Sequence, residues 1–183
     1  ISYADDTQLV LSLSDQPSTT LAIFCNCMTD IAQWMKDNCL QFNTDKTELL
    51  LFRNTSQWSH TWWPPELGAS PTPTDHAQNL GIILDRKLTK KRQINSVACA
   101  CFLTLRMLRT FFKWLPMSTS RLVTQVLLTI RLDYGNTLYV GISSHLTKRL
   151  QTIQNSAARL ILDLPKRTHI TPHLRELYWL PVR

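Results

Sequence analysis

The stretch Ile1-Ser2-Tyr3-Ala4-Asp5-Asp6-Thr7-Gln8-Leu9-Val10-Leu11-Ser12-Leu13 sets a polar tetrad, Asp5 to Gln8, between residues that favour strands. Short carboxylates accept backbone N–H bonds at tight turns, so residues 1–13 are expected to form a hairpin with the tetrad at its bend. Two consecutive carboxylates at such a bend lie close together and repel. A divalent cation with a preference for hard oxygen ligands relieves that repulsion. An aspartate pair is also ordinary in a solvated turn, so the surroundings must decide between the two readings.

Working outward, Asp15-Gln16-Pro17-Ser18 makes a second break. A helix is expected from Ser18 to Asn38, capped by Ser18 or Thr19, with Leu21, Phe24, Met28, Ile31 and Met35 as one apolar stripe. Leu40 and Phe42 then alternate with polar neighbours, Asn43-Thr44-Asp45-Lys46 turns the chain, and Thr47–Phe52 returns as a strand. Strand, helix and strand together predict an α+β organisation. Residues 53–79, with Trp58, Trp62, Trp63 and several prolines, lose periodicity and read as a loop or ragged hairpin; Asn79–Leu84 reads as a short strand.

Beyond Asp85 the pattern becomes helical. The first helix is expected from Thr89 to Lys113, with Ile94, Val97, Cys101, Leu105, Leu108 and Phe112 inward, ending at Leu115-Pro116. A second starts near Ser118 with Leu122, Val126 and Ile130 inward, and ends or kinks at Asp133-Tyr134-Gly135, with Leu138–Val140 extending it past a bend. Ser144 is expected to cap a third, lined by Leu146, Leu150, Ile153, Ala157, Leu160 and Ile161 and stopped by Leu164-Pro165. A short helix near Thr171–Tyr178 precedes Trp179-Leu180-Pro181. Short-looped helices with apolar stripes should pack as a bundle.

Charge separates the same two regions, 1–85 and 86–183. Through Asp85 there are 3 Lys and Arg against 10 Asp and Glu, a balance of −7; from Arg86 onward there are 17 against 3, a balance of +14. The second half suits a polyanion or an anionic surface. Lys87, Lys90, Lys91 and Arg92 cluster before and at the first basic helix, Arg106, Arg109 and Lys113 recur at three- and four-residue spacing, and Lys148-Arg149 open the third. Such residues track a phosphate backbone without reading base edges.

Five cysteines, an odd number in a chain without a disulfide-rich frame, predict reduced thiols and an intracellular location, most of them filling core space. Trp34, Trp58, Trp114 and Trp179 are read as packing residues, and His169 and His173 lack a persuasive third metal ligand. No run of about 18 apolar residues predicts a membrane span, and no phosphate-cradling glycine loop is present.

Tyr3-Ala4-Asp5-Asp6-Thr7-Gln8-Leu9 resembles the catalytic turn of reverse transcriptases from non-LTR retrotransposons, the long interspersed element type. The resemblance continues in family order. It passes through Ile31-Ala32-Gln33-Trp34-Met35, Leu40 to Glu48, Asn79 to Asp85 and Arg131-Leu132-Asp133-Tyr134. It then runs through Ile153 to Leu160 and Leu177 to Val182. It implies a partial polymerase palm over residues 1–85 and a helical, thumb-like region over 86–183. Asp5 and Asp6 would bind catalytic Mg²⁺ or Mn²⁺, Tyr3 would lie beside the primer end, and Lys46 near the incoming nucleotide. The strand opening at Thr47 would steady the primer. The partners implied are an RNA template, a DNA primer and deoxynucleotide triphosphates, with a nuclear or cytoplasmic location and no membrane.

The intact family reaction is RNA-directed DNA synthesis by two-metal nucleotidyl transfer. Its fingers and a further metal-binding aspartate precede the turn, so the expectation for a chain starting at Ile1 is a fragment with little activity of its own. The alternative expectation is a catalytically silent, nucleic-acid-binding remnant. Gly135 departs from the Cys that relatives commonly carry after the Asp-Tyr pair.

Overall fold

The computed structural model describes residues 2–3, 6–12, 17–41, 43–52, 63–64, 67–68 and 70–182. Asp5, Phe42, Trp58 and Trp62 lie outside them. The architecture is mixed α+β, divided into two compact units, 1–75 and 76–183. The boundary falls ahead of the change in sequence pattern at Asp85, because a hairpin packs with the helices that follow it.

In the first unit, β1 (Ser2–Tyr3) pairs antiparallel with β2 (Asp6–Thr7) in the register Ser2 to Thr7 and Tyr3 to Asp6. A hairpin forms, but only two residues long on each side: Asp6 and Thr7 make the returning strand rather than the bend, and residues 8–12, expected to continue it, are irregular with Leu9, Val10 and Leu11 exposed. Helix α1 (Pro17–Asp37) follows. Starting at Pro17, whose fixed φ suits a first helical position, it takes Ser18 and Thr19 into its first turn instead of using them as caps. Its stripe works as the spacing requires: Met28 is buried with Trp63 and Leu67, and Leu21, Phe24, Ala32 and Leu49 pack against them. A single 3₁₀ turn, Thr44–Lys46, leads to β3 (Leu49–Leu50), which pairs in parallel with β4 (Pro73–Thr74). The described strands therefore form separate two-stranded ladders.

The second unit opens with β5 (His76–Asn79) and β6 (Ile82–Asp85), an antiparallel hairpin. The apolar run 79–84 is thus a turn and a strand rather than one strand. Leu80 and Gly81 both have positive φ, 47° and 77°, the two-residue turn whose twist matches that of flanking strands. Tyr134 donates its hydroxyl hydrogen to the Leu80 carbonyl and holds that turn. Buried Gln93 accepts the Ile83 N–H at 2.9 Å, tying the hairpin to the next helix.

Helix α2 (Lys91–Phe111) and helix α5 (Ser144–Ile161) form the centre of the unit. Ile94, Val97, Cys101 and Leu105 meet Leu146, Leu150, Ile153 and Ala157, the faces their three- and four-residue spacing predicts. The two helices run parallel. Lys90, just before α2, donates from Nζ to the carbonyl of Val140, just before α5, at 3.2 Å. At the far end, Phe112 packs on a cluster containing Ala158 and Ile161. Ser143, not Ser144, stands at the start of α5 and makes no side-chain cap bond.

Between them the chain runs through α3 (Met117–Thr124), a π turn (Gln125–Thr129) and α4 (Ile130–Asp133). Here the expected inward face is reversed. Leu122, Val126 and Ile130 are 62%, 50% and 62% exposed, whereas Ser120, Thr124 and Leu128 are buried. Thr124 returns its hydroxyl to the Ser120 carbonyl at 2.8 Å, so a small polar residue can be buried with its hydrogen bond made. Gly135, at φ 74°, ends the helical run, followed by a 3₁₀ turn, Asn136–Tyr139.

The last helix, α6 (Thr171–Glu176), buries Leu174. Its end is closed by Tyr178 N–H to Arg175 O at 2.9 Å and Trp179 N–H to Leu174 O at 2.8 Å. That pattern places Tyr178 at the left-handed position, φ 57°, where glycine is the easy residue. Of the tryptophans read as packing residues, Trp179 packs on the core, but Trp34 and Trp114 are exposed. Of the cysteines, Cys101 alone is fully buried and its thiol is pushed up by burial; Cys27, Cys39 and Cys99 are exposed rather than core fillers.

Candidate functional site

The acidic hairpin offers one described carboxylate. Asp6 is exposed on β2, across the ladder from Tyr3, while Asp5 lies outside the described residues. An exposed carboxylate on a strand end is the hard-oxygen donor that Mg²⁺ or Mn²⁺ takes. Among the described residues no group of three His, Cys, Asp or Glu side chains is placed to hold a metal.

Lys46 ends the 3₁₀ turn with its side chain exposed. The turn is built by Asn43. Its Oδ1 accepts the Lys46 N–H at 3.1 Å, and its carbonyl accepts the Thr47 hydroxyl at 2.8 Å. Thr47 is thereby a structural partner of the turn, and Lys46 is presented on a fixed backbone with a free-reaching stem.

In the second unit the predicted cations fall at the two ends of α2, about 30 Å apart for a helix of this length. At the starting end, Asp85 organises the approach. Its Oδ1 accepts the N–H groups of Lys87 and Thr89 at 3.1 and 3.0 Å; its Oδ2 accepts the Thr89 hydroxyl and the Lys90 N–H, both at 3.0 Å. Burial pushes this carboxyl's pKa up, but the donated hydrogen bonds outweigh it and hold the net value below the ordinary one. In the sequence Asp85 marks only the boundary at which the pattern turns helical. An Asp two, four and five positions before consecutive basic and Thr residues is the local signal for such a nest.

Lys87, Lys91 and Arg92 project into solvent there, while Lys90 is tied to Val140. Because α2 and α5 are parallel, their positive dipole ends lie side by side. A cavity of about 440 Å³ lies between these ends, lined by Thr89, Lys90, Lys91, Ser143 and His145 among others. Lys148 and Arg149 are exposed in the second turn of α5. Lys87, Lys91, Arg92, Lys148 and Arg149 thus belong to one end of the helix pair. Arg106, Arg109 and Lys113, also exposed, belong to the other.

Two features at that second end escape periodicity altogether. Lys113 Nζ sits 5.1 Å from the centroid of Trp114, and Arg121 Cζ sits 6.0 Å from that of Tyr178. His173, for its part, meets Glu176 at 3.5 Å on α6.

No protein-family model matches the chain, and neither a curated protein nor a solved structure matches it. Among the described residues, no helix is long and apolar enough to cross a membrane.

Proposed function

We propose that this chain is the carboxylate-turn and helical part of an RNA-directed DNA polymerase of the non-LTR retrotransposon kind. The observation that carries the reading is the register of the first hairpin, which sets Asp6 opposite Tyr3 around the Tyr3-Ala4-Asp5-Asp6 motif. In this reading residues of the first unit belong to a palm and the helical unit acts as a thumb. Asp5 and Asp6 hold a divalent ion, which when bound stabilises charge on a transferring phosphoryl group. Lys46 offsets triphosphate charge from its exposed turn, and Tyr3 and Thr47 flank the primer end. The exposed lysines and arginines of α2 and α5 neutralise the backbone of the template–primer duplex.

The test is primer extension on an RNA template by the polymerase carrying this segment, with and without Asp5→Ala plus Asp6→Ala. Loss of extension in the double variant is expected; equal activity removes the metal assignment. A second reading, a silent nucleic-acid binder, is favoured by the exposed cations at both ends of α2, which need no metal to bind phosphate. Its mark is hybrid-duplex binding that weakens steeply with salt and is indifferent to Mg²⁺. Absence of binding at low salt refutes both readings for the helical unit.

A further inference from the structure

We propose that the carboxyl-terminal end of α2 and the turn after α6 form a platform for unpaired nucleic acid, with Trp114 and Tyr178 stacking on bases. The proposal rests on the nucleic-acid reading above and assigns a second, single-stranded ligand to a different end of the helical unit. Trp114 is 75% exposed and Tyr178 87% exposed, so neither ring contributes appreciably to the core. Tyr178 also occupies a left-handed position, at which the turn itself asks for glycine rather than an aromatic.

The two rings stand at the same end of the unit. Phe112, two residues before Trp114, packs on the cluster of Ala158, Ile161, Leu174 and Leu177, and Tyr178 directly follows Leu177. Arg121, on α3, ties that helix to the turn after α6 by donating to the Leu177 carbonyl at 3.2 Å while its guanidinium lies over the Tyr178 ring. Each ring thus carries a cation against one face: Lys113 on Trp114, Arg121 on Tyr178.

Alternating exposed aromatics and cations is what a single strand requires, because each unpaired base offers a flat face and each link a phosphate. A duplex has its base faces already stacked and cannot use the rings. On α6, Arg175 adds positive charge beside the turn and Glu176, which meets His173, opposes it. Lys113 and Arg121 neutralise phosphates beside the stacked bases, and the cation–ring contacts keep both side chains in place before the strand arrives.

The experiment is fluorescence anisotropy of the full chain with three labelled probes: oligothymidylate, an abasic oligomer of equal length, and an RNA–DNA hybrid duplex. Wild type is compared with Trp114→Ala and Tyr178→Gly. Oligothymidylate should bind more tightly than the abasic strand, and each substitution should weaken it by about 5- to 160-fold. Abasic and duplex binding should stay as in wild type. The glycine variant suits the backbone at 178, so helical circular dichroism should be retained and its loss of binding is not a loss of fold. Equal binding of oligothymidylate and abasic strand, or unchanged oligothymidylate binding in both variants, overturns the platform. Duplex binding without base dependence overturns the platform alone; no binding of any probe overturns the nucleic-acid reading as well.

Discussion

The acidic unit and the basic unit are built to different standards of packing. Among the described residues, the first buries Met28, Trp63 and Leu67 beneath a single helix, and its strands pair two by two. The second packs α2 against α5 in one cluster from Ile94 to Ala157, packs the end of α5 on α6 in another, and adds a hairpin held by Gln93 and Tyr134. Apolar burial is the main favourable term in folding, so the helical unit should hold its shape more firmly than the unit bearing the carboxylate turn. The difference teaches that the basic surface rests on a rigid frame.

The sharpest way to break this comparison is through the two cores. Ile153→Ala should cost about 2–5 kcal/mol and raise amide exchange throughout α2 and α5, since the side chain is fully buried between them. Met28→Ala should act within α1 and leave α2 and α5 exchange unchanged. Equally slow native exchange in α1 and in α2 would contradict the ranking outright.

A smaller effect tests the hairpin's place in the basic unit. Gly135→Ala should cost about 1–2 kcal/mol by urea unfolding, because φ is 74° and a Cβ would come 3.2 Å from Ile82 Cδ1. Next in size is Asp85→Asn, expected to cost about 1 kcal/mol through the lost hydrogen bonds at the start of α2. The carboxyl's folded pKa lies below its unfolded one, so its contribution is complete above the ordinary carboxylate range. It is lost as pH falls through the folded value. Wild type should therefore lose stability in acid more steeply than the Asn variant. Smallest, Tyr178→Gly should change stability in urea unfolding by less than about 1 kcal/mol, because relief of the left-handed backbone at φ 57° is offset by the freer unfolded chain and the lost Arg121 contact.

Much of this frame was legible in the letters. The stripes of α1, α2 and α5 follow from the letters because straight helices map three- and four-residue spacing onto one face. The stretch Ser118–Ile130 departs from its spacing for two physical reasons. A π turn changes the angular count between Leu122 and Ile130, and hydroxyl residues that satisfy themselves against the helix backbone, as Thr124 does, can be buried without a hydropathy signal. The apolar run at 79–84 hid a turn because Leu80 adopts a positive φ that its side chain does not favour. Of the candidate site, the clustering of cations was visible as sequence spacing, whereas the pairing of Arg121 with Tyr178 joins residues far apart in the chain and had no local trace.

The shared direction of α2 and α5 has one more consequence. In an antiparallel pair the peptide dipoles cancel; here they add, giving the helical unit an electrical polarity independent of ionisation. Because that field fades within a turn of each helix end, it bears only on anions that reach the starting ends themselves.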